Sequence, residues 1–210
     1  MYRRMLSVAL LVCFATPGVG DDKKPGDKPK TDPAGVPLEL TITGKTTKFT
    51  LDLGGMSVED YKKAIAAAAK GVGRAPATPT VDFTVELKNT SDKTVQVWSK
   101  GDPVVLTLEL KGKGAINVTP RVPVTLEFRL PDGVGIEAGK THTFPVKALS
   151  SGFRGASQLS YWTEPGDYEL VATLKSGMLP IPKGAMDNGD GYGIVTITSP
   201  AIKITVEAKK

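Results

Sequence analysis

The chain has very little of the chemistry that most catalytic and metal sites require. Its 210 residues include one cysteine, Cys13, and one histidine, His142. A nucleophilic triad needs a base beside a serine or cysteine, and a zinc site usually takes several nitrogen or sulfur ligands. One histidine on an alternating strand meets neither requirement. We therefore expect no enzyme activity and no cofactor.

One short motif begins like a nucleophile elbow but is incomplete. Gly155, Ala156 and Ser157 start a G-x-S sequence, yet the second glycine is missing and no strand-to-helix turn is predicted around it. This segment does not change the expectation of a non-catalytic protein.

A second oxygen-rich segment is a weak calcium candidate. Asp187, Asn188 and Asp190 supply suitable oxygens, but the positions of the first and last ligands would be Met186 and Ile197. The alternative is a polar turn, because Asn-Gly and Asp-Gly pairs adopt the positive φ that tight turns need.

The single long apolar run lies at the start of the chain. Two arginines precede residues 5–15, and a Pro-Gly-Val-Gly sequence ends the run before Asp21. This is the plan of a secretory signal peptide over residues 1–20. The run is shorter than the roughly 20 residues of a membrane-spanning helix. We expect a secreted, periplasmic or cell-envelope protein without an integral membrane segment after cleavage.

Cys13 leaves a second way of processing open. A lipoprotein signal would make this cysteine the acylated first residue of the mature chain, although Val12 precedes it where a small residue is preferred. With ordinary cleavage the mature protein has no cysteine and therefore no disulfide.

Residues 21–37 predict a disordered linker. They contain four prolines and alternating aspartates and lysines, with almost nothing apolar to bury. Without the two signal-peptide arginines the formal charge is about +3, and the charges are interspersed. Nucleic-acid binding depends on clustered positive charge, so we expect no nucleic-acid partner.

From residue 38 onward, apolar and polar residues alternate with the period of a β-strand. The predicted strands are 38–43, 46–53, 81–88, 94–99, 104–111, 124–130, 141–147, 168–175, 192–199 and 201–208. Many short strands separated by turns indicate a mainly β protein, an antiparallel β-sandwich. Strands 38–43 and 46–53 flank a Gly-Lys turn and predict a β-hairpin.

Residues 57–70 are the exception and predict one short helix. Ser57 and Asp60 have the spacing of a helix cap, Tyr61 and Ile65 begin an apolar stripe, and Gly71 can end the helix. We assign residues 38–80 to the N-terminal part of the domain and residues 81–210 to the sandwich. The sequence leaves open whether residues 38–80 form a separate lobe.

Two segments resemble immunoglobulin-like domains. Residues 81–98 are similar to the hairpin of strands B and C, and residues 165–170 (PGDYEL) resemble the entry into strand F. The resemblance implies that the Tyr168 hydroxyl reaches back to the chain at a corner and that Trp98 is the core aromatic residue beneath it. The order of segments over residues 81–207 also resembles the BsuPI-type intracellular proteinase inhibitor domain.

The segment between residues 150 and 164 is our candidate binding loop. It carries Phe153, Arg154, Gln158, Tyr161 and Trp162, and aromatic residues and arginine dominate binding hot spots. The alternative is that the aromatic residues fold inward and cap the sandwich.

Asn89 and Asn117 fit the N-glycosylation sequon. In a source that does not glycosylate, both are turn or strand-end residues.

These observations predict an exported, non-catalytic β-sandwich that binds a protein or a glycan through residues 150–164. The alternative is a BsuPI-like protease inhibitor that presents the bond between Arg154 and Gly155.

The signal peptide makes a direct prediction about the mature chain. We expect intact-mass measurement of the exported protein to show a chain that begins at Asp21. A lipid-modified chain that begins at Cys13 would contradict ordinary cleavage, and a retained leader would contradict export as a free protein.

Overall fold

Strands dominate the computed structural model, which describes residues 35–102, 104–120, 129–153, 156–187 and 189–209. The elements in chain order are β1 Leu38–Gly44, β2 Lys48–Thr50, α1 Val58–Ala69, β3 Thr80–Asn89, β4 Val95–Lys100, β5 Val105–Gly112, β6 Ala115–Val118, β7 Asp132–Ile136, β8 Thr141–Ala148, β9 Ser150–Phe153, β10 Ala156–Trp162, β11 Gly166–Leu179, β12 Met186–Asp187, β13 Gly193–Thr198 and β14 Ile202–Glu207. The predicted signal peptide, most of the predicted linker and most of the predicted strand 124–130 lie outside the described residues.

Two sheets face each other across one apolar core. The first has the order β1-β3-β8, and the second is built around β11. Along β3 every second residue from Val81 to Leu87 is buried, and β11 buries Tyr168, Leu170 and Leu174 toward the same core. The chain is therefore mainly β, an immunoglobulin-like sandwich whose strands pair antiparallel except at β2, as the alternation predicted.

Strand β11 is hydrogen-bonded along both edges. One edge pairs first with β14 and then with β13, and the other edge pairs first with β5 and then with β4. Ser199 lies between the end of β13 and the start of β14, and it continues the hydrogen bonding to β11 across this gap. Its hydroxyl accepts from the Ala172 N–H at 3.0 Å, and its own N–H donates to the Ala172 carbonyl at 2.8 Å.

The predicted hairpin of residues 38–53 is wrong. Strand β1 pairs with β3, whereas β2 pairs in parallel with β14 in the other sheet. The chain crosses between sheets after Gly44, which pairs with Phe83. The Phe83 ring lies 2.3 Å from where a Cβ atom of residue 44 would lie, so a larger residue would clash there. Both β1 and β2 thus belong to the sandwich, and residues 38–80 are not a separate lobe.

Helix α1 begins and ends where the sequence predicted. The Ser57 hydroxyl caps it by accepting from the Asp60 N–H at 3.1 Å, and Gly71 follows the last turn with φ of +78°. Tyr61 and Ile65 are buried on the side that faces the sandwich. The helix is therefore held by its apolar stripe.

The turn after β3 is organised by a buried asparagine. Strands β3 and β4 lie in different sheets, so residues 81–98 are not a hairpin. Asn89 is 0% exposed; its amide group donates to the carbonyls of Lys93 and Ile136 at 2.7 and 2.8 Å, and its Oδ1 accepts from Ser91. In the folded protein this side chain is closed to a glycan, so Asn89 is not a glycosylation site there.

Asn89→Ala is expected to lower the free energy of unfolding by about 2–3 kcal/mol, because it leaves two carbonyls and a serine without their buried partner. Urea unfolding measures the change. The control Asp92→Ala changes an exposed residue of the same turn and should cost less. Equal stability of Asn89→Ala and the wild type would contradict the structural role of Asn89.

Candidate functional site

The segment predicted as a binding loop is two strands. β9 and β10 form a hairpin, and β6 pairs with the other edge of β10. Ser157, the serine of the incomplete elbow motif, is paired with Gly152 inside this hairpin and does not sit at a strand-to-helix turn. The loop prediction for residues 150–164 is therefore wrong.

Strand β10 packs on both of its faces. Tyr161 contacts helix α1, where its ring meets that of Tyr61 edge-on at 5.9 Å, and its hydroxyl donates to the Pro76 carbonyl at 2.9 Å. Trp162 points to the main core, with its ring 5.1 Å from that of Phe49. Tyr161 is 0% and Trp162 4% exposed. Neither is the exposed recognition residue that the sequence predicted, and Trp162 folds inward as the alternative proposed.

The other three predicted binding residues are Phe153, Arg154 and Gln158. Gln158 lies in β10, partly buried and paired with Ser151 of β9. Phe153 ends β9, and Arg154 lies outside the described residues.

The small sheet of β6, β10 and β9 is joined to the large sheet by side chains. The Leu108 N–H donates to the Ser151 hydroxyl at 2.9 Å, and the Ser160 hydroxyl donates to the Leu108 carbonyl at 3.2 Å. Asn117 accepts from the Leu110 N–H at 3.0 Å and donates to the Leu110 carbonyl at 2.8 Å. Polar side chains thus take the place of a neighbouring strand along the free edge of β5, and this edge is protected. Asn117 is the asparagine of the second predicted sequon, and in the folded protein its side chain is engaged in these hydrogen bonds.

A cleft of about 370 Å³ opens beside helix α1, between the segment that precedes the helix and the segment that follows it. Aromatic residues form its floor: Phe49, Tyr61 and Trp162. Its remaining lining residues are Thr50, Asp52, Leu53, Gly54, Met56, Pro76, Ala77, Thr78, Pro79 and Thr80. Of these residues, the sequence predicts only Trp162 as a binding residue. The cleft is assembled from four separate parts of the chain, and no local motif marks it.

Asp52 is the one charged residue among the described residues that line the cleft. Its Oδ1 accepts from the Gly54 N–H at 3.1 Å and lies 3.9 Å from the Lys209 ammonium. Burial raises the pKa of the Tyr61 hydroxyl, and the negative charge of Asp52 adds to this effect. Burial, with a smaller contribution from Tyr61, raises the pKa of Tyr161 to about 12. Both tyrosines are therefore neutral at physiological pH.

Tyr168 forms the corner contact that the resemblance implied. Its hydroxyl donates to the Glu164 carbonyl at 2.6 Å, just before β11 begins its ladder. Glu164 also accepts from the Lys62 ammonium at 2.8 Å, so the corner is tied to helix α1.

Trp98 is buried but not beneath this corner. It follows Val97, which points to the inter-sheet core, so its own side chain lies on the opposite face of β4. There its ring stacks on Tyr192 at 4.7 Å and covers Gly177, where an added Cβ atom would come within 2.3 Å of the indole. The expectation that Trp98 is the aromatic residue under Tyr168 is wrong, because Trp98 lies on the other face of β4 and the ring beside Tyr168, 6.3 Å away, is that of Trp162.

The polar candidates Asp187 and His142 have local structural partners. Asp187 accepts from the Gly189 N–H at 2.8 Å, a contact typical of a polar turn, and Asn188 lies outside the described residues. The His142 ring packs edge-on against Phe144 at 4.8 Å, and burial, then the nearby Lys100, lowers its pKa. Within the described ranges no three His, Cys, Asp or Glu residues are grouped closely enough to hold a metal ion. No helix in those ranges is both long and apolar enough to cross a membrane.

No protein-family model and no curated protein matches this chain. Among solved structures it is similar to the cupredoxin domain of amoB from Nitrosocaldus yellowstonii, with 14% identity and a TM-score of 0.26 over 84% of this chain and 89% of that one. It is also similar to the ASH/PapD-like domain 7 of human CEP192, with 10% identity and a TM-score of 0.25 over 90% of this chain and 97% of that one. Similarity at this level carries no information about the function of this chain.

The raised pKa of Tyr161 predicts a loss of stability in alkali. The neutral hydroxyl stabilises the folded state fully below pH 10, where the unfolded tyrosine begins to ionise, and this stability is lost as the pH rises toward about 12. We expect a decrease on the order of 1–2 kcal/mol over this window, measured by urea unfolding at several pH values. Tyr161→Phe should show a shallower decrease. An unchanged slope in that variant would contradict the assignment.

Proposed function

We propose that this protein is an exported, non-catalytic module that binds a segment of another protein in the cleft beside helix α1. The observation that carries the proposal is the floor of the cleft, where Phe49, Tyr61 and Trp162 meet under an open mouth. A concave site with an apolar floor and few polar groups is typical of ligand recognition.

The cleft has the dimensions of a site for one or two side chains. Its volume of about 370 Å³ lies at the lower end of the range for ligand pockets, roughly 300–1,000 Å³. The Tyr61 ring packs on Tyr161 at 5.9 Å and the Trp162 ring packs on Phe49 at 5.1 Å. Both side chains are buried, so the floor is fixed before a ligand arrives. A preformed site loses little side-chain entropy on binding.

The lining favours a protein ligand over a glycan. A sugar brings many hydroxyl groups, each of which needs a new partner when it leaves water. In the cleft the carbonyls of Pro76 and Ala77 already accept from the hydroxyls of Tyr161 and Tyr61, at 2.9 and 3.4 Å. The polar side chains that remain are three threonines and Asp52. An aliphatic or aromatic side chain on a peptide fits this surface better.

Export and the absence of catalysis enter the proposal from the sequence, through the predicted signal peptide and the shortage of histidine and cysteine. The BsuPI-like inhibitor remains the alternative. It depends on Arg154 and Gly155, which lie outside the described residues, and no described contact favours it.

Two exposed methionines allow a matched test. Met56 lines the cleft and is 43% exposed, whereas Met186 is 80% exposed on β12 and does not line the cleft. Peptides selected from a random displayed library should bind the wild type and the Met186→Ala variant equally. Met56→Ala should weaken them by about threefold to tenfold, because a methionine side chain contributes about 1 kcal/mol or more of buried apolar contact.

Thermal unfolding serves as the control, since truncation of either exposed methionine should leave the melting temperature nearly unchanged. Amide chemical shifts should move at Gly54 and Ala77 when the selected peptide is added. Shifts confined to another surface, or equal binding by the Met56→Ala variant, would contradict the cleft as the binding site.

A further inference from the structure

We propose that the cleft selects a lysine or arginine side chain on its partner, with the aliphatic stem on the aromatic floor and the cationic end at Asp52. This inference rests on the proposed function, and it adds the chemical class of the ligand. Three further cavities among the described residues each have a lysine or arginine together with a carboxylate in their lining.

Charge complementarity is the first argument. Among the lining residues of the cleft, the carboxylate of Asp52 is the one formal charge, and both tyrosines are neutral. A cationic side chain therefore meets an attractive field, an anionic side chain meets a repulsive one, and an uncharged side chain gains only apolar contact.

The shape of the lining is the second argument. Lysine and arginine have an apolar stem and a charged end, and they bury the stem while the end stays near water. The cleft has the same polarity, with Phe49 and Trp162 on the floor, whereas Asp52 is well exposed. Aromatic rings also attract cations that approach their faces.

The carboxylate is available to an incoming cation. Among the described residues, Lys209 is its ion-pair partner at 3.9 Å, and the side chains of Asp52 and Lys209 are 71% and 72% exposed. An ion pair that is this exposed and this long contributes little to stability, typically less than about 1 kcal/mol. A ligand ammonium or guanidinium can replace Lys209 without a large penalty.

Three blocked amino acids with side chains of different charge test the inference: Nα-acetyl-lysine with its free ε-ammonium, Nα-acetyl-norleucine and Nα-acetyl-glutamate, each as the N-methylamide. Titration into the full-length mature protein, followed by amide chemical shifts, gives the dissociation constants. We expect the lysine compound to bind about fivefold more tightly than the norleucine compound, and the glutamate compound to bind most weakly.

Asp52→Asn should abolish the preference for lysine over norleucine. The asparagine keeps an oxygen for the Gly54 N–H, so the local turn is retained. Glu59→Gln is the control, because it removes one exposed carboxylate of helix α1 that does not line the cleft. This control variant should keep the full preference.

The outcomes separate the two proposals. If lysine and norleucine bind equally to the wild type, or if Asp52→Asn leaves the preference intact, the cationic selectivity is wrong and the cleft remains a binding site. If none of the three compounds produces saturable shifts at the cleft, both proposals are wrong.

Discussion

The double-edged pairing of β11 is the interaction on which the rest of the structure depends. This strand bonds to β5 and β4 along one edge and to β14 and β13 along the other, with Ser199 bridging the gap between the last two. Its inward side chains, from Tyr168 to Met178, form much of the core against the sheet of β1, β3 and β8. The Tyr168 corner fixes where the ladder begins, and through Glu164 it also reaches Lys62 of the helix.

The cleft follows from this frame through β10. One face of β10 presents Trp162 to the core, and the other presents Tyr161 to helix α1. The hydroxyls of Tyr161 and Tyr61 both bond to the segment after the helix, at Pro76 and Ala77. The segment after the helix is thereby tied to both the helix and β10, and the cleft lies between this segment and the one that precedes the helix. Recognition would thus use a rigid scaffold rather than a soft loop.

The regular alternation of apolar and polar residues made most of the strands predictable, whereas their pairing partners could not be predicted. Strands β3, β5, β8, β13 and β14 and the capped helix lie where the sequence placed them, because their apolar period and turn residues are local signals. The partners of β1 and β2 lie in two different sheets, and the local pattern of residues 38–53 does not encode this crossing. Of the predicted binding residues whose side chains the structure describes, only Trp162 lines the cleft, as part of its floor. The other residues of the cleft come from distant segments of the chain, and Asp52 and Met56 belong to no recognisable sequence motif.

Amide hydrogen exchange of the native protein tests the central role of β11 most directly. The account predicts that the amides of residues 168–175 exchange only by global unfolding, with an opening free energy equal to that from urea unfolding. Amides of α1, which is attached to the sandwich by a smaller apolar cluster, should open at a lower free energy. Faster exchange in β11 than in α1 would contradict the account.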